Sequence, residues 1–276
     1  MLHNSQKDFL KRHIGPSEED QSEMLKKLNY KSLDDLIDKT VPEKIHFKGE
    51  LNIGESNSEY EALRKLKAIS KKNQIFSNFI GMGYYGTYTP YVILRNILEN
   101  PGWYTSYTPY QPEVAQGRLE MLLNFQQMIV DFTGMDIANA SLLDEGTAAA
   151  EAMGLSHRLN KSDSNLVFVS ENCHPQTIDV IQTRAEPMGL KVLVGNENKS
   201  IEQLKEDIVC GILQYPGTLG DIKDPSEAIS KIHKKNGKAI LACDLLSLAK
   251  LKTPRELGAD IAVGSSQRFG IPMGYG

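Results

Sequence analysis

The sequence has 276 residues, of which 40% are hydrophobic and 24% are charged, and its formal net charge is -4. A chain of this length and composition can form one sizeable α/β domain plus an attachment. Its Lys and Arg residues are dispersed, whereas nucleic-acid-binding proteins concentrate them in a basic patch, so that class of function is set aside.

The three cysteines, Cys173, Cys210 and Cys243, lie far apart in the sequence. This spacing suits reduced thiols better than a disulfide framework. No C-x-x-C motif occurs and the His residues follow no ligand spacing, so no metal site is predicted. No segment has the length and apolar character of a membrane span, and the N-terminal residues resemble neither a secretory signal nor a transit peptide. A cytoplasmic protein is therefore expected by default.

Residues 1–75 are predicted to form a helical arm. Three Ser-x-x-acid motifs, which are typical of helix N-termini, accompany apolar residues at helical spacing. The motifs are Ser17 with Asp20, Ser32 with Asp35, and Ser58 with Glu61. Short amphipathic helices must pack on another surface. We therefore expect an N-terminal extension that lies across another domain or subunit.

Two loops rich in Gly, Tyr and Thr follow the arm, and they read F-I-G-M-G-Y-Y-G-T-Y-T-P and W-Y-T-S-Y-T-P-Y-Q-P. An apolar helix is predicted between them, from Pro90 to the stop signal at Asn100. A long helix is predicted after them, and it ends at Thr133-Gly134. Exposed aromatic loops of this kind frequently carry function.

The first loop contains the pattern G-x-G-x-x-G at residues 81–86, which also occurs in dinucleotide-binding folds. Its context does not fit that function, because a helical arm precedes it and two tyrosines would stand beside the pyrophosphate. No clear strand with a terminal acid follows at the proper distance. The glycines are better explained as tight turns that direct Tyr84 and Tyr85 into a pocket.

After Gly134 the sequence alternates between short apolar runs and helical stretches. The runs are Leu166–Val169, Lys191–Val194, Val209–Leu213, Ala239–Cys243 and Ile261–Val263. This rhythm predicts a mostly parallel sheet with helices on both faces. Functional sites in such sheets lie at the carboxyl ends of the strands. The segments expected there are Glu171–His174, Tyr215–Gly220, Asp244–Leu246 and Gly264–Arg268.

Five residues are candidates for holding a phosphate-bearing cofactor: Glu145, Gly146, Thr147, His174 and Asp244. The first three begin an alanine-rich helix, whose free N–H groups and dipole suit a phosphate. At strand ends, an Asp could hold the ring nitrogen of pyridoxal phosphate and a His could stack on the ring. Any capped helix looks similar, however, and such Asp and His residues more often cap or merely pack. Their order along the chain is more informative than any single member.

This order resembles fold-type I pyridoxal-phosphate enzymes, and the wording of the sequence resembles one family closely. The stretch from F-I-G-M-G-Y-Y-G through Y-Q-P-E-V-A-Q-G-R-L-E is similar to a signature of the P-protein family of the glycine cleavage system. R-H-I-G-P, C-H-P-Q-T and the final G-A-D-I-A-V-G-S-S-Q-R-F-G-I-P-M-G-Y-G resemble the N-terminal half of that family. The resemblance spans essentially all 276 residues. It implies a fold-type I large domain over residues 76–276, incomplete at its C-terminus, behind the helical arm.

Members of that family have two similar halves, in one chain or in two subunits, and the half that holds the cofactor carries H-K-T-F-x-I-P-H-G-G-G around its Schiff-base lysine. The matching stretch here is Ser266–Gly274, with Gln267 where the lysine would be. A glutamine amide cannot form an aldimine, so this chain is expected to have no catalytic residue of its own. Pyridoxal phosphate is expected on the partner half, and the five cofactor candidates are expected to be relics of a duplicated site.

The resemblance implies glycine decarboxylation with transfer of the aminomethyl group to the lipoyl arm of the H-protein. The expected partners are the C-terminal half or second subunit, the H-protein and glycine. This chain would supply residues that line the partner's cavity, and the candidates are Tyr84, Tyr85, Thr108, Tyr110 and Arg118. Two alternatives remain. An autonomous pyridoxal-phosphate enzyme of another type would need the missing lysine, whereas a non-catalytic interaction module would not.

Overall fold

The computed structural model describes residues 12–13, 15–103 and 108–272. Tyr107 in the second aromatic loop and residues 273–276 of the final motif lie outside this part. The chain divides into two compact units, Met1–Asn78 and Phe79–Gly276. Among the described residues, no helix combines the length and the apolar character needed to cross a membrane.

The described residues of the first unit include the helices α1 (Glu18–Lys27), α2 (Leu33–Thr40) and α3 (Glu59–Ser70). Each begins at a predicted serine, because the side chains of Ser17, Ser32 and Ser58 accept a backbone N–H three residues further on. The predicted helix starts are therefore confirmed. None of the three helices has a buried residue. Packing of residues 1–75 across another domain or subunit stays a prediction.

The second unit begins with irregular structure around the first aromatic loop. The predicted apolar helix is shorter than expected: α4 (Tyr91–Ile93) runs into a π-helical turn at Leu94–Leu98. The long helix α5 (Gln116–Thr133) ends as predicted at Gly134, whose φ of 70° is left-handed and whose N–H donates to Val130. Glycine reaches this conformation without the steric cost of a side chain.

A five-stranded, fully parallel sheet organises the rest of this unit. Its strands are β1 (Leu166–Ser170), β2 (Lys191–Gly195), β3 (Cys210–Tyr215), β4 (Lys238–Cys243) and β5 (Ile261–Val263), in the order β2-β1-β3-β4-β5. Every predicted apolar run is a strand. The helices between strands, with one preceding them, are α6 (Glu145–Leu159), α7 (Pro175–Ala185), α8 (Ser200–Gln203) and α9 (Ser226–Lys234).

The core lies on both faces of the sheet. Phe168 of β1 and Leu241 of β4 belong to one buried cluster, whereas their neighbours Val167 and Ile240 belong to a second cluster. Successive side chains of a strand point to opposite faces, so both faces are covered, as predicted. Because all strands run in the same direction, their carboxyl ends bring His174 and Asp244 to the same edge of the sheet.

Candidate site at the carboxyl ends of the strands

A small cavity of about 130 Å³ lies where the strands end. We call it the strand-end cavity. Six residues singled out in the sequence line it, namely Tyr84, Tyr85, Glu145, His174, Asp244 and Gln267. A larger groove of about 580 Å³ lies beside α5 and β5, but none of the candidate site residues lines it. The chemistry that the sequence predicts is therefore concentrated in the smaller cavity.

Glu145 is the first residue of α6, and its side chain faces a buried polar environment. The residue is 4% exposed. Its Oε1 accepts a hydrogen bond from Gln214 Nε2 at 3.3 Å and lies 3.8 Å from His174 Nε2. Burial raises the pKa of Glu145 to about 7, helped by the negative charges of Asp244 and Asp144, while the Gln214 hydrogen bond acts in the opposite direction. Burial also lowers the pKa of His174, so the contact between the two is not a stable ion pair near neutral pH.

We predict that Glu145→Gln stabilises the fold at high pH. The folded protein binds the Glu145 proton more tightly than the unfolded chain, so this group's contribution to stability falls as pH rises from about 4.5 to about 7. Glutamine imitates the protonated acid and does not titrate. The variant should match the wild type near pH 4.5 and exceed it above pH 7 by roughly 1–3 kcal/mol.

Thermal and denaturant unfolding at several pH values would measure this difference. The lowered pKa of His174 acts in both proteins and cancels from the comparison. Glu120→Gln, at an exposed position of α5, is the matched control. A constant difference for Glu145→Gln at every pH would contradict the buried-acid assignment.

His174 follows β1 and precedes α7, and other groups already surround its imidazole. Nδ1 lies 3.1 Å from the Thr218 hydroxyl, and the Tyr84 ring centroid lies 5.4 Å from the imidazole centroid at an angle of 57°. Gly83 lies directly against the ring, because a Cβ built on it would be 2.0 Å from Cε1. The residue is only 6% exposed. Its ring therefore packs against this chain's own first aromatic loop.

Asp244 follows β4, and its carboxylate forms an ion pair within the chain. Its Oδ2 accepts a hydrogen bond from Arg268 Nε at 3.0 Å, and its Oδ1 accepts the Leu246 N–H at 2.8 Å. The Arg268 guanidinium also lies 5.4 Å from the centroid of the Tyr85 ring, within cation–π range. Both carboxylate oxygens of Asp244 thus bond to groups of this chain, whereas the sequence suggested that this carboxylate bonds to the ring nitrogen of a cofactor.

Gln267 stands in a short 3₁₀ turn, Ser266–Phe269, just after β5. It is 9% exposed, and its Nε2 donates a hydrogen bond to the Tyr85 carbonyl at 3.0 Å. The amide at the position of the expected lysine is therefore an ordered part of the cavity wall.

The remaining candidates do not line the strand-end cavity. Gly146 and Thr147 lie in the first turn of α6, where Asp144 accepts the Thr147 N–H at 2.7 Å and its hydroxyl at 3.1 Å. A carboxylate of this chain thus caps the helix end that was predicted to face a phosphate. Thr108, Tyr110 and Arg118 do not reach the cavity, and Tyr110 is 87% exposed. None of the described residues of the second aromatic loop lines this cavity.

Pyridoxal phosphate does not fit the strand-end cavity. The volume of about 130 Å³ is below the roughly 300–1,000 Å³ typical of ligand pockets. No lysine stands at position 267, Asp244 is paired with Arg268, and Gly83 covers the imidazole. The residues that resemble a cofactor site contact one another instead.

Sequence reasoning placed Thr218 and Arg268 in segments expected at the strand ends but did not name them as site residues, and it missed Gln214 and the close approach of Gly83 to the imidazole. Arg268 is adjacent to Gln267 in the final motif, and Thr218 lies in the P-G-T-L-G-D segment after β3, so their positions carried a signal. Gln214 lies within an apolar strand, and no sequence pattern indicated that it belongs to the site.

Comparison with known proteins gives consistent matches. The family model of the glycine cleavage system P-protein matches residues 11–276. Glycine dehydrogenase (decarboxylating) of Pelagibacter ubique strain HTCC1062 is 81% identical over 276 residues, which are 100% of this chain and 29% of that relative. The protein of the same name from Nostoc punctiforme is 58% identical over 268 residues, 97% of this chain and 27% of the relative. The chain thus spans less than a third of the length of these relatives.

A solved structure supports the same relationship. The crystal structure of glycine decarboxylase (P-protein) of the glycine cleavage system, in inhibitor-bound form, aligns with a TM-score of 0.86 at 32% identity. The alignment covers 96% of this chain and 60% of that chain. The predicted α/β fold of the fold-type I class is confirmed.

Proposed function

Because the chain belongs to the family of glycine cleavage system P-proteins, we propose that it is the part of a glycine decarboxylase that does not bind the cofactor covalently. The remainder of the enzyme carries the lysine and the pyridoxal phosphate. The reaction is decarboxylation of glycine with transfer of the aminomethyl group to the lipoyl H-protein, and the cofactor supplies the electron sink for it. The H-protein as partner, glycine as substrate and the cytoplasmic location stay predictions.

The proposal rests on Gln267, which the resemblance of Ser266–Gly274 to the family's lysine motif places at the Schiff-base position. An amide nitrogen is not nucleophilic and cannot form an imine. Gln267 also has a structural contact, since its amide donates a hydrogen bond to the Tyr85 carbonyl at 3.0 Å. An autonomous pyridoxal-phosphate enzyme would need a lysine here, so that alternative is disfavoured.

The surface of the second unit supports a role beside another polypeptide segment. Phe79 is 93% exposed, and Tyr88, Tyr91 and Val92 are exposed in the same stretch of chain. Aromatic residues are enriched in interface cores, so exposed aromatic side chains of this kind are expected at an interaction site. The relatives contain more than twice as much additional chain as this sequence covers. We infer that this stretch packs against the cofactor-bearing half.

Tyr85, Thr108 and Tyr110 are exposed and can line the cavity of that half. Tyr84 differs, because it is half-buried against His174 in the strand-end cavity. Arg118 lies in α5 and is partly exposed. In this arrangement the chain shapes and shields the site of the other half and performs no bond breaking itself.

The proposal predicts where reduction with borohydride fixes the cofactor. In the full-length enzyme loaded with pyridoxal phosphate, the pyridoxyl-lysine peptide should come from the region outside residues 1–276. The reason is that Gln267 cannot form the imine that borohydride reduces. Peptide mass mapping gives the position directly. The same treatment of this chain alone is the control, and a stoichiometric pyridoxyl-lysine within it would refute the proposal.

A further inference from the structure

A segment of this chain forms one wall of the strand-end cavity. We call residues 81–85 the tyrosine loop. Gly83, Tyr84 and Tyr85 line the cavity together with Glu145 and His174.

The tyrosine loop has a conformation that its own sequence disfavours. Met82 has a φ of 48°, which is left-handed and uncommon for a residue with a side chain, and Gly83 follows at 98°. A single local hydrogen bond, from the Tyr84 N–H to the Gly81 carbonyl at 2.9 Å, closes the turn. Such a conformation persists only where the surroundings determine it.

The first external constraint is the contact between Gly83 and His174. A Cβ on Gly83 would lie 2.0 Å from Cε1 and 2.3 Å from Nε2 of the imidazole. His174 cannot easily move aside, because Thr218 holds its Nδ1 and the residue is buried. Only glycine therefore fits at position 83, and its backbone occupies the space beside the imidazole ring.

The second constraint comes from the segment after β5. Gln267 Nε2 donates to the Tyr85 carbonyl, and Arg268 lies over the Tyr85 ring. Immediately beyond the loop, the Thr87 hydroxyl donates to the Ile271 carbonyl at 2.7 Å, and the Thr89 hydroxyl donates to the Gly270 carbonyl. The chain on the C-terminal side of the loop is thus tied to residues 267–271, which lie more than 180 residues away in sequence.

We propose that the strand-end cavity is a socket for the tyrosine loop, in which Gly83 and Gln267 are positioning residues that present the exposed Tyr85 to the glycine site of the other half. The cavity binds this loop in place of a small molecule. Gln267 then has a structural role of its own, because its amide donates the hydrogen bond that positions the loop. The last step, presentation to the glycine site, rests on the proposed function, whereas the socket itself does not.

The test uses the full-length enzyme with three variants. Gly83→Ala and Gln267→Met should loosen the loop, since the first cannot approach His174 and the second has no N–H donor. Gly86→Ala is the matched control, because a Cβ there meets nothing within 4 Å and its φ is not left-handed.

Hydrogen exchange of the amides of residues 82–88 should become faster by about fivefold or more in Gly83→Ala and Gln267→Met, as expected for the loss of one net hydrogen bond or contact. The KM for glycine should rise by about fivefold in the same two variants while kcat changes little, because the loop contributes equally to ground-state and transition-state binding. Gly86→Ala should behave like the wild type in both measurements.

Unchanged exchange in Gly83→Ala or Gln267→Met would overturn the socket, and loosened loops with an unchanged KM would overturn the positioning role. Equal effects of Gly83→Ala and Gly86→Ala would also count against it. Borohydride mapping is repeated on each variant to separate the two proposals. A pyridoxyl-lysine in residues 1–276 would refute the proposed function, whereas a label that stays in the other half, with an unaltered loop, refutes the socket alone.

Discussion

The isolated chain is expected to exchange no labelled CO2 into glycine above background, and exchange should return when the remainder of the P-protein is added with pyridoxal phosphate. Enzymes accelerate their reactions by about 10⁶-fold or more, so loss of the cofactor-bearing lysine should remove the activity completely. The family resemblance places Gln267 at the lysine position, and the strand-end cavity of about 130 Å³ is below the size typical of ligand pockets. Incorporation of labelled CO2 into glycine measures the exchange.

Three samples are needed for this comparison: the chain alone, the remainder alone, and the two combined. If the chain supplies walls of the glycine site, the remainder alone should be much less active than the combination. Exchange by the chain alone at a rate comparable with that of the combination would show that it holds a complete site.

Phe168→Ala is expected to have the largest effect on the stability of the second unit, a loss of about 3–5 kcal/mol. Phe168 is in the middle of β1 and is fully buried. Its cluster includes Ile232 from α9 and Leu241 from β4. Removal of the ring leaves a cavity that close-packed neighbours on both elements cannot easily fill. Because domains have only about 5–15 kcal/mol of stability, the loss is a large part of the total.

Denaturant unfolding of the isolated chain, residues 1–276, would measure this loss. Phe79→Ala removes the same side chain from an exposed position and is the matched control, with an expected change within about 0.5 kcal/mol. Similar effects of the two substitutions would show that the core has been assigned to the wrong strand positions.

Local patterns were sufficient to predict most of the secondary structure. The sequence predicted the three serine caps, the helix end at Gly134 and the five strands, because capping and apolar periodicity depend on residues that are close in sequence. Gln267 was also identifiable, since it occupies one position of a contiguous motif. The π-helical turn at Leu94–Leu98 and the short length of α4 were not readable, because no local signal distinguishes them from a regular helix.

The state of the site depended on contacts between distant segments, which no window of sequence contains. Asp244 and Arg268 form an ion pair across the ends of two strands, and Gln267 reaches the Tyr85 carbonyl from 182 residues away. The sequence suggested a phosphate turn, a stacking histidine and an Asp for a ring nitrogen. The fold instead pairs Asp244 with Arg268 and places Gly83 against His174. Because parallel strands bring their carboxyl ends to one edge irrespective of separation in sequence, only the tertiary structure shows that these groups satisfy one another and leave no room for a cofactor.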